Sequence, residues 1–371
     1  MTSTGFKPTI LVIDFRASEA GSLSIIEDLY KQALTYHHLN NWIFMVGTPN
    51  FKETPNISVL RNPLLKKILL YRFLYEGFIL PRRIKCINPD IVLNLQNQPL
   101  KTGKVKQVVY LHLPFILTKY KLKLRRDGLR LWLYQNVYRP LILRKLRTTS
   151  KIIVQTTWMK KALTLAGIAE TKILIITPTI NIDNTQIKCP IQISSEKKHV
   201  FIYPATAYTY KNHQIIIKAL KILPDEIRKS ISVIFTVSGN ENRHIKNLKR
   251  KVELYNLPIT FMGMIDRENV FQILRFGNLI FPSFIESFGL PLLEARLLRR
   301  PVIAADTEFA QEILKDYEFA KFFNYNDSFE LAEHITQIVN TTKKITNSNP
   351  EAYEKYMNES LADALIREVS T

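Results

Sequence analysis

Apolar and polar positions along the chain alternate in a regular rhythm: a short apolar run bounded by turn formers, then a one-sided helical stripe. The first run, Thr9-Ile-Leu-Val-Ile-Asp14, reads as a buried strand. A loop containing Ser18, Gly21 and Ser22 follows. Leu23, Ile26, Leu29, Tyr30, Ala33 and Leu34 then recur at the spacing of an amphipathic helix. Further strand-like runs lie at 42–46, 57–60, 91–95, 108–113 and 152–154. Strands alternating with helices predict an α/β fold with a parallel sheet covered on both faces.

The rhythm restarts at Val200-Phe-Ile-Tyr203 after a polar, irregular stretch, with more strands predicted at 232–237, 259–262, 279–282 and 301–304. The expected organisation is a Rossmann-like domain over 1–180 and a linker over 181–199. A second Rossmann-like domain covers 200–345, and a C-terminal helix within 346–371 could pack back on the first. A chain of 371 residues is longer than one hydrophobic core usually serves. Two open parallel sheets predict a ligand in the cleft between domains, at the carboxyl ends of the strands.

Composition excludes several classes. Hydrophobic residues at 46% and charged residues at 23% are ordinary for a globular protein, so whole-chain disorder is excluded. Cys86 and Cys189 stand apart with no CxxC or Cys/His cluster, which argues for a reducing compartment and against a structural zinc. No secretory signal is read at the N-terminus, and no apolar run has the ~20 residues of a spanning helix, so a cytoplasmic location is expected.

The charge changes the picture. Lys plus Arg number 52 against 32 Asp plus Glu, a net charge of +20. Such an excess favours a polyanionic partner. It concentrates between Lys119 and Arg147, where basic residues interleave with Leu, Trp and Tyr and Asp127 is the one acid, and again from Leu64 to Lys85. That interleaving suits an anionic membrane surface. A pair of solvated helices that merely bury their leucines is the plainer alternative. Nucleic acid is not expected, because no reading module is present.

The candidate chemistry lies in Phe281-Pro-Ser-Phe-Ile-Glu286-Ser287-Phe288-Gly289-Leu290-Pro-Leu-Leu-Glu294-Ala-Arg296. A strand ends at Pro282, a loop carries Glu286, and a helix begins near Pro291, where proline suits the first turn. Gly289 permits close backbone approach, and the N–H groups of Ser287 to Leu290 with the helix dipole behind them suit a pyrophosphate. Glu294, one turn into the helix, can accept from ribose hydroxyls. Two glutamates eight apart mean little alone, since most such pairs are solvated.

In context, this string followed by Arg300-Pro-Val-Ile-Ala304 resembles the E-x7-E signature of retaining family 4 glycosyltransferases. The resemblance implies a GT-B fold, a GDP- or UDP-linked sugar as co-substrate, no other cofactor and no bound metal; no Asp-x-Asp pair is present. It assigns Glu286 to the donor sugar and Glu294 to the ribose. The loop Ala205-Thr206-Ala-Tyr-Thr-Tyr-Lys211 matches the family's pyrophosphate loop at Lys211, while Thr206 stands where an arginine is usual. His112, in Val109-Tyr-Leu-His-Leu-Pro114, matches a histidine that touches donor sugar or acceptor, though a lone histidine is more often structural. Gly21 matches an acceptor-side glycine turn, and Gly263 a loop that lines the nucleotide pocket. His213 reads as a capping or surface residue.

Leu131-Trp-Leu-Tyr134 and Val154-Gln-Thr-Thr-Trp-Met-Lys160 are similar to strings in bacterial surface-polysaccharide (O-antigen and capsule) members. The expected activity is transfer of a hexosyl group, mannosyl favoured, to a lipid-linked saccharide on the inner face of the cytoplasmic membrane. Two alternatives stay open: a non-catalytic, basic membrane-surface or polyanion-binding protein of the same shape, and a nucleotide-sugar epimerase.

Overall fold

The structure, a computed structural model, describes residues 7–17, 20–36, 39–178, 199–341 and 360–370. Within these it divides into two compact units. One comprises 7–119, 133–178 and the C-terminal 360–370, and the other 120–132 and 199–341. Residues 120–132 had been expected in the N-terminal domain; they fold onto the second unit, anchored by Thr209 Oγ1, which donates to Asp127 Oδ1 at 2.8 Å. The expected linker lies outside the described residues except for His199.

The first unit is built on a seven-stranded parallel sheet. Its strands are β1 (Thr9–Asp14), β2 (Asn41–Val46), β3 (Ile57–Arg61), β4 (Ile91–Asn94), β5 (Lys106–Tyr110), β6 (Lys151–Val154) and β7 (Ile173–Ile175), in the spatial order β3-β2-β1-β4-β5-β6-β7. Val12 of β1 lies opposite Phe44 on one side and Leu93 on the other. Both faces of the sheet are buried, which is why β1 reads as unbroken apolar sequence. Ile10 and Val12 join a core on one face, while Leu11 and Ile13 join Leu65, Tyr75, Leu80 and Ile84 on the other.

The C-terminal helix Leu361–Ser370 completes the first of these cores with Leu361, Ala362 and Leu365. It is tied to the helix Ala20–Tyr36 by the Tyr36 hydroxyl, which donates to Asp363 at 2.5 Å, and by Ala362 N–H, which donates to Gln32 at 3.0 Å. Gly21 lies inside that first helix, not in the loop the sequence suggested. Likewise the strand expected to run through 113 ends at Tyr110. The Asn97 carboxamide oxygen takes the N–H groups of His112 and Leu113, at 2.6 and 2.8 Å, and draws the chain off the ladder.

The second unit repeats the plan with six parallel strands. They are β8 (His199–Tyr203), β9 (Ile231–Phe235), β10 (Ile259–Phe261), β11 (Asn278–Phe281), β12 (Val302–Ala305) and β13 (Ala320–Phe323), ordered β10-β9-β8-β11-β12-β13. In both units strand order reverses beside the first strand, between β1 and β4 and between β8 and β11. Loops leaving the two strands at such a reversal diverge, opening a crevice at their carboxyl ends. Both units are Rossmann-like, and the chain has an α/β fold. Among the described residues no helix is long and apolar enough to cross a membrane.

Candidate active site

At the reversal point of the second unit, two loops meet: 204–212 after β8 and 282–289 after β11. They are stitched together by Phe284 N–H donating to the Tyr210 carbonyl at 3.3 Å and by the Asn212 carboxamide donating to the Pro282 carbonyl at 3.5 Å, and the same carboxamide also donates to the Tyr325 carbonyl at 2.8 Å, beyond β13. The Tyr203 hydroxyl, on the strand itself, fixes the Lys211 carbonyl at 2.5 Å. This framework brings Lys211 and Glu286, 75 residues apart in sequence, into an ion pair of which each side chain is about one-sixth exposed or less. Thr206 is exposed. Its neighbour Ala205 is held by Thr236 Oγ1, which accepts from Ala205 N–H at 3.0 Å.

The helix after this loop runs Leu290–Leu297 with Pro291 in its first turn, one residue earlier than the sequence suggested. Its N-cap, Gly289, has φ +96° and ψ 60°, and no side chain caps the helix. A Cβ on Gly289 would meet Leu292 Cδ1 at 3.1 Å. A left-handed glycine is therefore needed to turn the backbone into the helix without a side chain in the way. The backbone N–H groups of Phe288, Gly289 and Leu290 make no hydrogen bond among the described residues and lie at the positive end of the helix dipole. Ser287 sits in the same loop, half-buried.

Glu294 faces inward from this helix and is 3% exposed. Burial raises the pKa of its carboxyl, and the Arg267 guanidinium opposes that by donating from Nε at 2.9 Å. Arg267 opens the helix Arg267–Phe276, whose N-cap Asp266 accepts from Asn269 N–H at 2.8 Å. Its Nη2 is buried without a hydrogen-bond partner among the described residues. Gly263, at φ +80°, begins the loop that leads to it. Arg267 was missed by sequence reasoning, because an arginine in the first turn of a helix between two acids looks like a solvated surface residue.

His213 neither caps its helix nor reaches the surface. It is fully buried between the rings of Tyr203 and Phe235, at 4.8 and 5.1 Å, and burial pushes its imidazole down to about 3. The cap of that helix is Asn212, held left-handed at φ +59°.

In the first unit, His112 lies two residues beyond β5. The Asn97 oxygen is occupied by two backbone N–H groups, so its NH2 faces His112 Nε2 at 3.0 Å. Nε2 therefore accepts, and the proton sits on Nδ1, which is buried without a partner. Burial pushes the imidazole down to about 4, so the ring is neutral at pH 7. Asn97 was also missed; its signal is the amide-rich run Asn94-Leu-Gln-Asn-Gln98 after β4. Among the described residues no three His, Cys, Asp or Glu side chains converge as a metal ion would require.

Residues 186–357 match the family described as glycosyl transferases group 1. That stretch, just under half of the chain, is similar to a glycosyl transferases group 1 domain. A curated relative, the protein named glycosyltransferase EpsD of Bacillus subtilis (strain 168), is 25% identical over 144 residues, a match spanning 38% of this chain and 37% of that relative. Among solved structures, Anabaena Alr3699/HepE in complex with UDP and glucose superposes with a TM-score of 0.68 at 17% identity, covering 98% of this chain and 99% of that one. WaaG, a glycosyltransferase involved in lipopolysaccharide biosynthesis, superposes at 0.64 with 14% identity, covering 89% and 91%. At these identities the structures establish the shared fold. The family domain includes the stretch from Thr206 to Glu294, with every second-unit residue considered above.

Proposed function

We propose that this chain is a retaining, metal-independent glycosyltransferase that moves a hexosyl group from a nucleotide sugar to a lipid-linked saccharide in cell-surface polysaccharide synthesis. The observation that carries the reading is the Lys211–Glu286 ion pair lying just before an uncapped helix N-terminus, with Glu294 one turn inside. In this reading the donor pyrophosphate sits on the N–H groups of 288–290 and on Lys211. Glu294, oriented by Arg267, accepts from the ribose hydroxyls, and Glu286 contacts the transferred sugar. The Gly263 loop faces the base.

In the transfer step the bond from the anomeric carbon to the phosphate oxygen breaks. The acceptor oxygen bonds to that carbon from the same face, and its proton passes to the departing phosphate. Stabilising the leaving diphosphate by Lys211 and the helix N-terminus supplies most of the acceleration. Neutral His112 would touch the donor sugar or the acceptor, and the Gly21 end of the first helix would lie on the acceptor side.

A peripheral place on the inner face of the cytoplasmic membrane is supported by the first unit's surface. Leu70 is 70% and Phe78 64% exposed there, and Lys66, Lys67, Arg82 and Arg83 are exposed on the same stretch of chain. Apolar side chains for the headgroup boundary and cations for anionic lipid are the two components such binding uses.

The test is thermal-shift binding to GDP-mannose, UDP-glucose and dTDP-sugars with Lys211→Met and Glu294→Ala as controls, followed by transfer to a lipid-linked acceptor with the product anomer read by NMR. Sequence favours a mannosyl donor, whereas HepE has been crystallised with UDP-glucose, so the panel decides between them. A donor that shifts wild type and neither variant supports the reading; no shift with any donor at millimolar concentration sinks it. The rival, a basic membrane-surface or polyanion-binding protein without catalysis, is favoured by exposed Thr206 standing where a cation is usual, and it predicts association with anionic liposomes and no shift with any donor.

A further inference from the structure

Beside the donor loops, and wholly within the second unit, lies a groove of about 970 Å³ that the reading above does not use. One wall is the segment Tyr120–Gly128, and the other is made by the starts of the helices His213–Ile222 and Arg243–Leu254. Its floor is a run of rings: Tyr120 against Phe284 at 4.4 Å, and Phe284 against Tyr325 at 5.1 Å.

The groove is cationic, and its charge is not neutralised internally. Lys121, Lys123, Arg125, Lys218 and Arg243 line it, all exposed and none in an ion pair among the described residues. The one acid in the lining, Asp127, is already occupied. Its side chain is fully buried against Arg126 at 3.1 Å and accepts from Thr209 at 2.8 Å and from Lys123 N–H at 2.7 Å. Five like charges around one concavity repel each other until an anion enters.

The remaining lining selects among anions. Gln214, Asn247 and Asn326 line it as well, with carboxamides that make no hydrogen bond among the described residues. A carboxamide offers a donor and an acceptor side by side, which matches the neighbouring hydroxyls of a sugar ring. The rings of Tyr120, Phe284 and Tyr325 are tilted against one another, at 50° and 31°, rather than splayed as open platforms, an arrangement poorly suited to stacking bases. A concave groove also suits a chain better than a flat bilayer.

We propose that this groove binds an acidic saccharide chain, its carboxylates or phosphates held by the five cations and its hydroxyls by the carboxamides. Binding itself is independent of the transferase reading. If that reading holds, the groove would keep such a chain next to Lys211 and Glu286, because Asn212 and Phe284 belong to both lining and donor loops.

The experiment is calorimetric titration of the full chain with a galacturonic acid hexamer. Maltohexaose, inorganic pyrophosphate, a ten-residue thymidine oligonucleotide and phosphatidylglycerol vesicles are the comparison probes. The hexamer is expected to bind, more weakly as salt rises, while maltohexaose does not. Lys123→Glu with Arg125→Glu, and separately Lys218→Ala with Arg243→Ala on the other wall, should each weaken it at least tenfold while leaving the donor thermal shift and the melting temperature in place. Gln214→Ala with Asn247→Ala should weaken the hexamer but not pyrophosphate. Unchanged hexamer binding in both charge variants overturns the proposal. So does pyrophosphate, the oligonucleotide or the vesicles binding as tightly as the hexamer. Because donor binding is read on the same samples, failure here is separate from failure of the transferase reading.

Discussion

Arg267 Nε donates to a Glu294 carboxylate oxygen at 2.9 Å, joining the first turn of one helix to the buried face of another. The pair answers a problem that the glutamate alone would create. A carboxylate 3% exposed needs a counter-charge, and the guanidinium supplies it while keeping Nη2 unpartnered among the described residues. It also orients the carboxyl that would meet the ribose.

Arg267→Met should therefore destabilise the chain by roughly 1–3 kcal/mol, below the largest values for fully buried pairs because Arg267 is 39% exposed. Urea denaturation at pH 7.5 measures it. Adding Glu294→Gln should restore part of the loss; a single variant as stable as wild type would remove the pair from any structural role.

Gly289→Ala puts a Cβ at a φ of +96° and 3.1 Å from Leu292 Cδ1. The left-handed backbone alone costs about 1–2 kcal/mol. If the N–H groups behind it hold a pyrophosphate, donor affinity should fall by roughly tenfold, equivalent to about 1.4 kcal/mol. A variant with lowered stability and unchanged donor affinity would show that the turn serves folding only.

Asn97→Ala removes the acceptor for two backbone N–H groups and the donor to His112 Nε2, a loss of about 1–3 kcal/mol. Asn97→Asp is the more informative change. It keeps the acceptor, places a negative charge beside the imidazole, and should raise the His112 pKa from its value of about 4. Proton NMR titration of the ring reads the shift directly, and an unmoved pKa would contradict the geometry.

Asp14 closes β1, and burial pushes its carboxyl from 3.8 up to about 6 against the N–H groups of Arg16 and Ala17. The folded chain thus holds this proton more tightly than the unfolded one. Its contribution is most favourable below about pH 4 and is lost as pH rises through 6. Asp14→Asn cannot ionise, so its stability advantage should grow from pH 4 to 6 and level off above, reaching up to about 3 kcal/mol. Denaturant melts at several pH values check it; a difference independent of pH would mean that Asp14 is not protonated in the fold.

The central strands were legible because β1, β8 and β11 each carry an unbroken apolar run, Ile10–Ile13, Val200–Tyr203 and Leu279–Phe281, as strands buried on both faces do. The edge strands β7 and β13 escaped notice. Ile173–Ile175 is only three residues long, and Ala320–Phe323 carries a lysine and is mostly half-buried. At the site, the loop and helix around Glu286 to Glu294 were readable because glycine and proline punctuate them. Arg267 and Asn97 were not, since their significance comes from partners 27 and 15 residues away. The basic run from Lys119 to Arg147 looks like one segment in sequence, yet its first part folds onto one unit and its second part onto the other.

That division means the chain passes between the two units four times rather than once. A chimera of two related chains made by a single exchange near residue 190 would therefore inherit a mismatched wall for the basic groove. It would also carry a C-terminal helix cut for a foreign core. Recombination should succeed only when 120–132 travels with the second unit and 360–370 with the first.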